Sequence, residues 1–101
     1  MTIPDFQTLM LPVLKYSTTK HEHSLREAVA YLTDQFSLSD EERNARLPSG
    51  KQPIFYNRVG WARTYLKQAK LLEVGSKRNY LKISQRGKEF AVLQNSSKIW
   101  L

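Results

Sequence analysis

Near residue 70 the apolar pattern of this chain changes its period, and that change restricts the fold more than any other feature. Upstream, Phe55, Val59, Ala62, Leu66 and Ala69 recur at helical spacing between Ile54 and Lys70. Downstream, Leu71-Leu72-Glu73-Val74 and Tyr80-Leu81-Lys82-Ile83 flank Gly75-Ser76-Lys77-Arg78-Asn79. That is the pattern of two short strands joined by a Gly-led turn. Leu72 and Val74 share one face of the first strand, and Leu81 and Ile83 one face of the second, with Tyr80 and Lys82 opposite. A chain of 101 residues has to fit this helix and hairpin into one modest core.

The elements before residue 50 are read from caps. Phe6, Leu9, Met10, Val13 and Leu14 predict a helix from Pro4 to Ser17, with Pro4 in the first turn and a kink at Pro12. His21-Glu22-His23 reads as a polar connection. Ser24-Leu25-Arg26-Glu27 is a capping box, in which a Ser oxygen takes the third helical amide and the Glu carboxylate reaches back. Leu25, Ala28, Val29, Leu32 and Phe36 continue that helix. Ser39-Asp40-Glu41-Glu42 opens a short helix ending near Leu47, and Pro48-Ser49-Gly50 breaks the chain. After the hairpin, Ser84 caps a last helix carrying Phe90 and Leu93, which ends at Asn95-Ser96-Ser97.

Three helices closed by a hairpin predict a mainly α fold with a small β-hairpin, α+β, of the winged helix-turn-helix kind. Residues 1–95 would form this domain, and 96–101 a tail or the start of a linker. There is no cysteine, which removes disulfide frameworks and thiolate metal sites and suits a reducing cytoplasm. No apolar run is long enough for a membrane span, and the first residues lack the basic leader of a signal peptide.

Charge is divided by position. Residues 1–50 hold five Lys/Arg against seven Asp/Glu, whereas residues 51–101 hold eleven against two. Cations gathered on a helix and an adjoining turn suit a duplex polyphosphate, since neutralising phosphates releases condensed counterions. Opposite the apolar stripe of the 54–70 helix lie Asn57, Gly60, Trp61, Thr64, Lys67 and Gln68. Asn and Gln can bond adenine, Thr offers a hydroxyl and a methyl, and Lys reaches guanine or phosphate. Tyr56, Arg58 and Arg63 flank this face, with Lys51 and Lys70, and suit phosphate contacts. Lys77 and Arg78 at the hairpin tip suit the backbone or a minor groove, and Arg86 and Lys88 extend the basic surface. The size of an indole predicts a structural role for Trp61, and Tyr65 is expected in the core.

Catalytic patterns are absent. His21 and His23 lack a foreseeable third ligand and read as solvated. There is no Gly-rich phosphate loop or nucleophile elbow. No acidic residue has Lys two positions on, a spacing that metal-dependent nucleases often need. The chain is expected to need no cofactor or metal and to be non-catalytic by itself.

The run from Tyr56 to Leu72, with Asn57-Arg58-Val59-Gly60-Trp61-Ala62 as its most specific part, resembles the N-terminal domain of Mrr-type restriction proteins. So do the opening Ile3-Pro4-Asp5-Phe6 to Leu11-Pro12-Val13-Leu14 and the ending Tyr80-Leu81-Lys82-Ile83-Ser84-Gln85-Arg86-Gly87. The resemblance implies a DNA-binding winged helix joined to a separate nuclease domain of the PD-(D/E)xK type. It also implies a role in restricting foreign, often methylated, DNA. Asn57, Arg58, Gly60, Trp61 and Arg63 match its motif, and the nuclease part is missing here. Double-stranded DNA is the expected partner, with no membrane, alongside a C-terminal nuclease domain or self-association. A winged-helix transcriptional regulator and a protein-interaction winged helix are the competing readings.

Overall fold

A computed structural model describes residues 3–19, 22–77 and 79–96. The element order is α1 (Phe6–Ser17), β1 (Glu22–Ser24), α2 (Leu25–Gln35), α3 (Asp40–Asn44), α4 (Ile54–Gln68), β2 (Leu72–Val74), β3 (Tyr80–Ile83) and α5 (Gln85–Ser96). The molecule is mainly helical, with a small three-stranded antiparallel sheet.

Both capping boxes form. Glu27 N donates to Ser24 Oγ at 3.0 Å, and Ser24 N donates to Glu27 Oε1 at 2.9 Å. Ser39 and Glu42 repeat the exchange at 3.1 and 2.8 Å. Each box satisfies two backbone groups that a helix start would otherwise leave open. Helix α1 starts later than the Pro4 reading. Asp5 is its N-cap and accepts from Thr8 N at 2.8 Å, so Pro4 lies outside. The helix continues without a break across Pro12.

Helices α2 and α4 end in the same way. Ser37 (φ 51°) and Lys70 (φ 67°) adopt the left-handed conformation. In each case the next residue, Leu38 or Leu71, bonds back to the carbonyl five positions earlier, at 3.2 and 2.9 Å. This is the Schellman closure, with a leucine folded under the helix end. Both leucines are buried. Helix α4 therefore stops at Gln68, and Ala69, expected on the apolar stripe, is exposed. Helix α3 is shorter than expected: after Asn44 the chain extends, Arg46 bridges Pro53, and Ile54 N donates to Ala45 O at 2.8 Å.

The His21-Glu22-His23 connection needs correcting. His21 lies outside the described residues, but Glu22–Ser24 is strand β1. The sheet order is β1-β3-β2, with His23 opposite Leu81 and Val74 opposite Leu81 on the other edge. His23 is buried rather than solvated. Its ring lies 4.1 Å from that of Tyr16, and its Nε2 is 2.7 Å from Thr19 Oγ1. Val74, two residues on from buried Leu72 in the same strand, is exposed.

The core joins Leu9, Val13 and Leu14 of α1 to Ala28 and Leu32 of α2 and to Phe55, Val59, Ala62 and Leu66 of α4, with Leu72, Leu81 and Ile83 from the sheet. Each such Leu, Val or Phe stabilises the fold by about 1.5–3 kcal/mol through burial. Helix α4 packs most extensively on α1. Tyr65, expected in the core, lies at its edge, stacked on Phe6 with ring centroids 4.8 Å apart. In α5, Ala91 is buried while Phe90, Val92 and Leu93 are largely exposed.

Ser84 ties the sheet to α4 and α5. Its Oγ donates to Lys70 O at 2.7 Å and accepts from Gly87 N at 2.9 Å, as the predicted cap does. A Cβ at Gly87 would run into the Leu71 carbonyl and the Ile83 side chain. Gly87→Ala is therefore expected to lower stability by roughly 1–3 kcal/mol, the usual cost of overpacking, despite the better helix propensity of Ala. Urea unfolding followed by circular dichroism measures this.

Candidate nucleic-acid interface

The helical period of α4 places Phe55, Val59, Ala62 and Leu66 inward and leaves the opposite stripe facing out. That stripe does not lie on a flat surface. Tyr56, Asn57, Gly60, Trp61, Arg63 and Thr64 line a concavity of about 460 Å³, completed by Gln52, Leu25 and Asn79. Asn79 belongs to the β2–β3 turn, so the turn lies on the same side as the outer face of α4. A second concavity, of about 360 Å³, continues past Arg63 and Asn79. It is lined by Lys67, Val74, Gly75, Lys77 and Tyr80. Arg63 and Asn79 are common to both. No Asp or Glu is among the residues lining either.

Sheet pairing explains why the turn sits there. Glu22 Oε1 on β1 accepts from Ser76 N at 2.7 Å, and Leu25 N donates to Asn79 O at 2.8 Å. Gly75 has little freedom to be anything else, since a Cβ would come within 2.7 Å of Glu22 Oε1 and of Tyr80 Cβ. Asn79 takes φ 63°, a conformation Asn tolerates better than most residues. Lys77 then holds its Nζ 5.9 Å from the Tyr80 ring centroid.

The outward residues differ in what they have left to offer. Thr64 Oγ1 donates back to Gly60 O at 3.1 Å, leaving its methyl and lone pairs. Asn57 Nδ2 donates to Gln52 Oε1 at 2.8 Å. Trp61 is 49% exposed, its ring 6.0 Å from that of Tyr65, so the covered structural role expected for the indole is not what the structure has. Arg63 is half-buried, and its Nε is shielded from solvent without a hydrogen-bond partner. Such groups are uncommon and call for a reason. Gly60 leaves space. A Cβ there would meet only Leu25 Cδ2, at an ordinary 3.9 Å.

Other expected contact residues lie elsewhere. Arg58 points toward the N-terminal segment, where its Nη1 donates to Ile3 O at 2.7 Å and Pro4 O at 3.3 Å. Gln68 is exposed at the last turn of α4 and lines neither concavity. Lys51, Lys70, Arg86 and Lys88 are exposed, and Arg78 lies outside the described residues. Sequence reasoning missed Gln52, Asn79 and Glu22. The first two stand in segments read only as breakers and turn, and the third in a segment read as a loop.

Among the described residues, no group of three His, Cys, Asp or Glu could hold a metal ion. No helix there is long and apolar enough to cross a membrane. What the two concavities offer is cations, amides and aromatic faces around a helix.

With this geometry in view, the chain belongs to the Mrr N-terminal domain family, whose model matches residues 6–92. It is 38% identical over 72 residues to the type IV methyl-directed restriction enzyme EcoKMrr of Escherichia coli K12. That match takes in 70% of this chain and 23% of the relative, so the chain spans under a quarter of that enzyme. No solved structure matches it.

The Arg58 contacts can be tested apart from any ligand. The Thr8 amide holds the Asp5 carboxyl below its ordinary value of 3.8, and the Arg58 guanidinium adds to that. A lowered carboxyl pKa gives stability that is complete above the ordinary value and is lost as pH falls through the lowered one. Arg58→Ala is expected to move the Asp5 titration upward toward its ordinary value and to speed amide exchange at Phe6 to Leu9. NMR titration and hydrogen exchange measure both.

Proposed function

We propose that this chain is the DNA-binding module of a restriction-system protein, non-catalytic by itself and acting in the cytoplasm. It is read as a winged helix-turn-helix in which α4 is the recognition helix and the β2–β3 turn is the wing. In this mode α4 lies in a major groove, and the wing rests on the backbone or in the minor groove. Residues 1–95 form the module, and a nuclease domain would follow it in the full protein. The observation that carries the reading is the pair of concavities, in which the outer face of α4 and the turn meet around Arg63, Lys67 and Lys77 without a lining carboxylate. Membership of the Mrr N-terminal domain family supports it independently.

The residues take different parts. Arg63, Lys67 and Lys77, with Arg78 beside them in sequence, are the phosphate contacts. Asn57, Trp61, Thr64 and Gly60 face base edges, with Tyr56 on the rim and Gln68 at the far end. Arg58 braces the N-terminal segment. The relative is named as methyl-directed, and the Thr64 methyl and the Trp61 ring are the apolar groups on this face that a base methyl could meet.

Two measurements test the reading. Duplex binding by the full chain is expected to weaken with salt, with log K falling on log salt by a slope of about −3.6, near −0.9 for each phosphate met by Arg63, Lys67, Lys77 and Arg78. Lys67→Glu should make that slope shallower, and no duplex binding at low salt would remove the reading. Gly60→Ala separates fold from function. It should stabilise α4 by up to ~1 kcal/mol, since Ala is the better helix former and space exists. It should also weaken duplex binding severalfold, because the added methyl stands where DNA approaches. Thermal melting and fluorescence anisotropy on one preparation read both.

A further inference from the structure

With Arg63 assigned to phosphate as above, and the Thr64 methyl and Trp61 ring offering only apolar contact, the side-chain amides on the outer face of α4 that could read a base edge by hydrogen bonds are one pair. The hydroxyl proton of Thr64 is spent on Gly60 O. The Arg58 guanidinium is turned toward the N-terminal segment, its Nη1 bonded to Ile3 O and Pro4 O. Lys67 and Lys77 are flexible point charges, which suit phosphate better than a base edge. That leaves Asn57, in the first turns of α4, and Gln52, just before the helix.

The two amides bond each other, Asn57 Nδ2 donating to Gln52 Oε1 at 2.8 Å. Both are half-buried in the floor of the larger concavity. The backbone of Gln52 is fixed: its carbonyl accepts from Leu47 N at 3.1 Å, and Pro53 beside it pairs with Arg46. Asn57 N donates to Pro53 O at 3.1 Å. The pair does not cap α4, which begins at Pro53 with no side-chain cap bond. Two rotamer-rich side chains are thus ordered, at an entropic cost, on a face that contributes nothing to the core.

Their bond also fixes which way Asn57 presents itself. With one Nδ2 hydrogen held by Gln52, Asn57 keeps its Oδ1 as acceptor and its second Nδ2 hydrogen as donor. The edge that complements this in a major groove is adenine, with an N6–H donor beside the N7 acceptor. Guanine presents two acceptors, thymine an acceptor and a methyl, and cytosine a lone donor. The geometry points to Asn57 as an adenine-reading residue and to Gln52 as the positioning residue that holds it in that orientation. This rests on the duplex-binding reading above and gives it a base preference.

The test is selection by the full chain from a pool of duplexes randomised over about two helical turns, at low salt. The wild-type chain should enrich adenine at one position. Gln52→Ala should still bind duplex but with that preference lowered roughly tenfold, the scale of one bidentate contact. Gln52→Glu keeps an acceptor for Asn57 Nδ2 and should keep the preference. Asn57→Asp presents acceptors alone and should move the preferred base to cytosine, which offers N4–H. Duplex binding without an adenine preference, or a preference that survives Gln52→Ala, overturns the assignment and leaves duplex binding standing. Loss of the preference in Gln52→Glu also overturns the positioning role. If no duplex binds at all, both readings fall together.

Discussion

Strand β3 is paired on both edges, and the shape of the candidate interface depends on that. A hairpin of two short strands is marginal in water. Here β1 adds a third strand on the free side of β3, through Glu22 to Ser24 against Lys82 to Tyr80. The pairing is reinforced where the chain turns: Glu22 holds Ser76, and Leu25 N holds Asn79 O. At the other end Ser84 bonds the Lys70 carbonyl. The turn is thereby anchored to the starts of α2 and α5 and to the end of α4. Without β1 the turn would lose the Glu22 carboxylate that holds Ser76 N.

The helices were legible in the sequence because their starts are chemically distinctive. Two Ser-x-x-Glu boxes and the apolar stripe of α4 locate α2, α3 and α4 to within a residue at the N-terminal side. The ends were less legible because the left-handed positions that close α2 and α4 are Ser37 and Lys70, not glycine. A left-handed Lys is held there by two backbone bonds and by Leu71 folding under Leu66, none of which is a local signal. Strand β1 was illegible for a related reason. It is three polar residues long, and His23 is buried only because Tyr16 and Thr19, on another element, receive its ring.

The interface was legible as a face and not as a chemistry. Helical period alone places Asn57, Gly60, Trp61, Thr64 and Lys67 together, and the structure keeps them on one side. It does not reveal how much of each side chain is already engaged. Arg58 and Arg63 are both Arg on flanks of one helix. One is bonded to two carbonyls of the N-terminal segment, and the other has a shielded Nε with no partner. Only the position of the N-terminal segment, set by α1 packing, separates them. The two glycines differ in the same way: Gly87 is required by a carbonyl pressed against it, whereas none of the described residues crowds Gly60.

The charge division takes on a physical meaning once the elements are placed. Asp40, Glu41 and Glu42 open α3, where the helix dipole favours them, and Glu42 is further held by its capping box. These carboxylates therefore meet a local need of the fold. The cations lining the concavities meet no comparable need. Arg63, Lys67 and Lys77 face a common notch whose lining holds no carboxylate, and Lys77 Nζ lies over the ring of Tyr80. Like charges held together by a rigid hairpin repel, and the repulsion is relieved by solvent ions or by an anionic ligand. A fold that uses several of its acids as helix caps and gathers bases around one notch has free energy to gain from a polyanion. The gain is largest where β3 keeps the turn and α4 at a fixed spacing, because no conformational entropy is then lost in bringing them together.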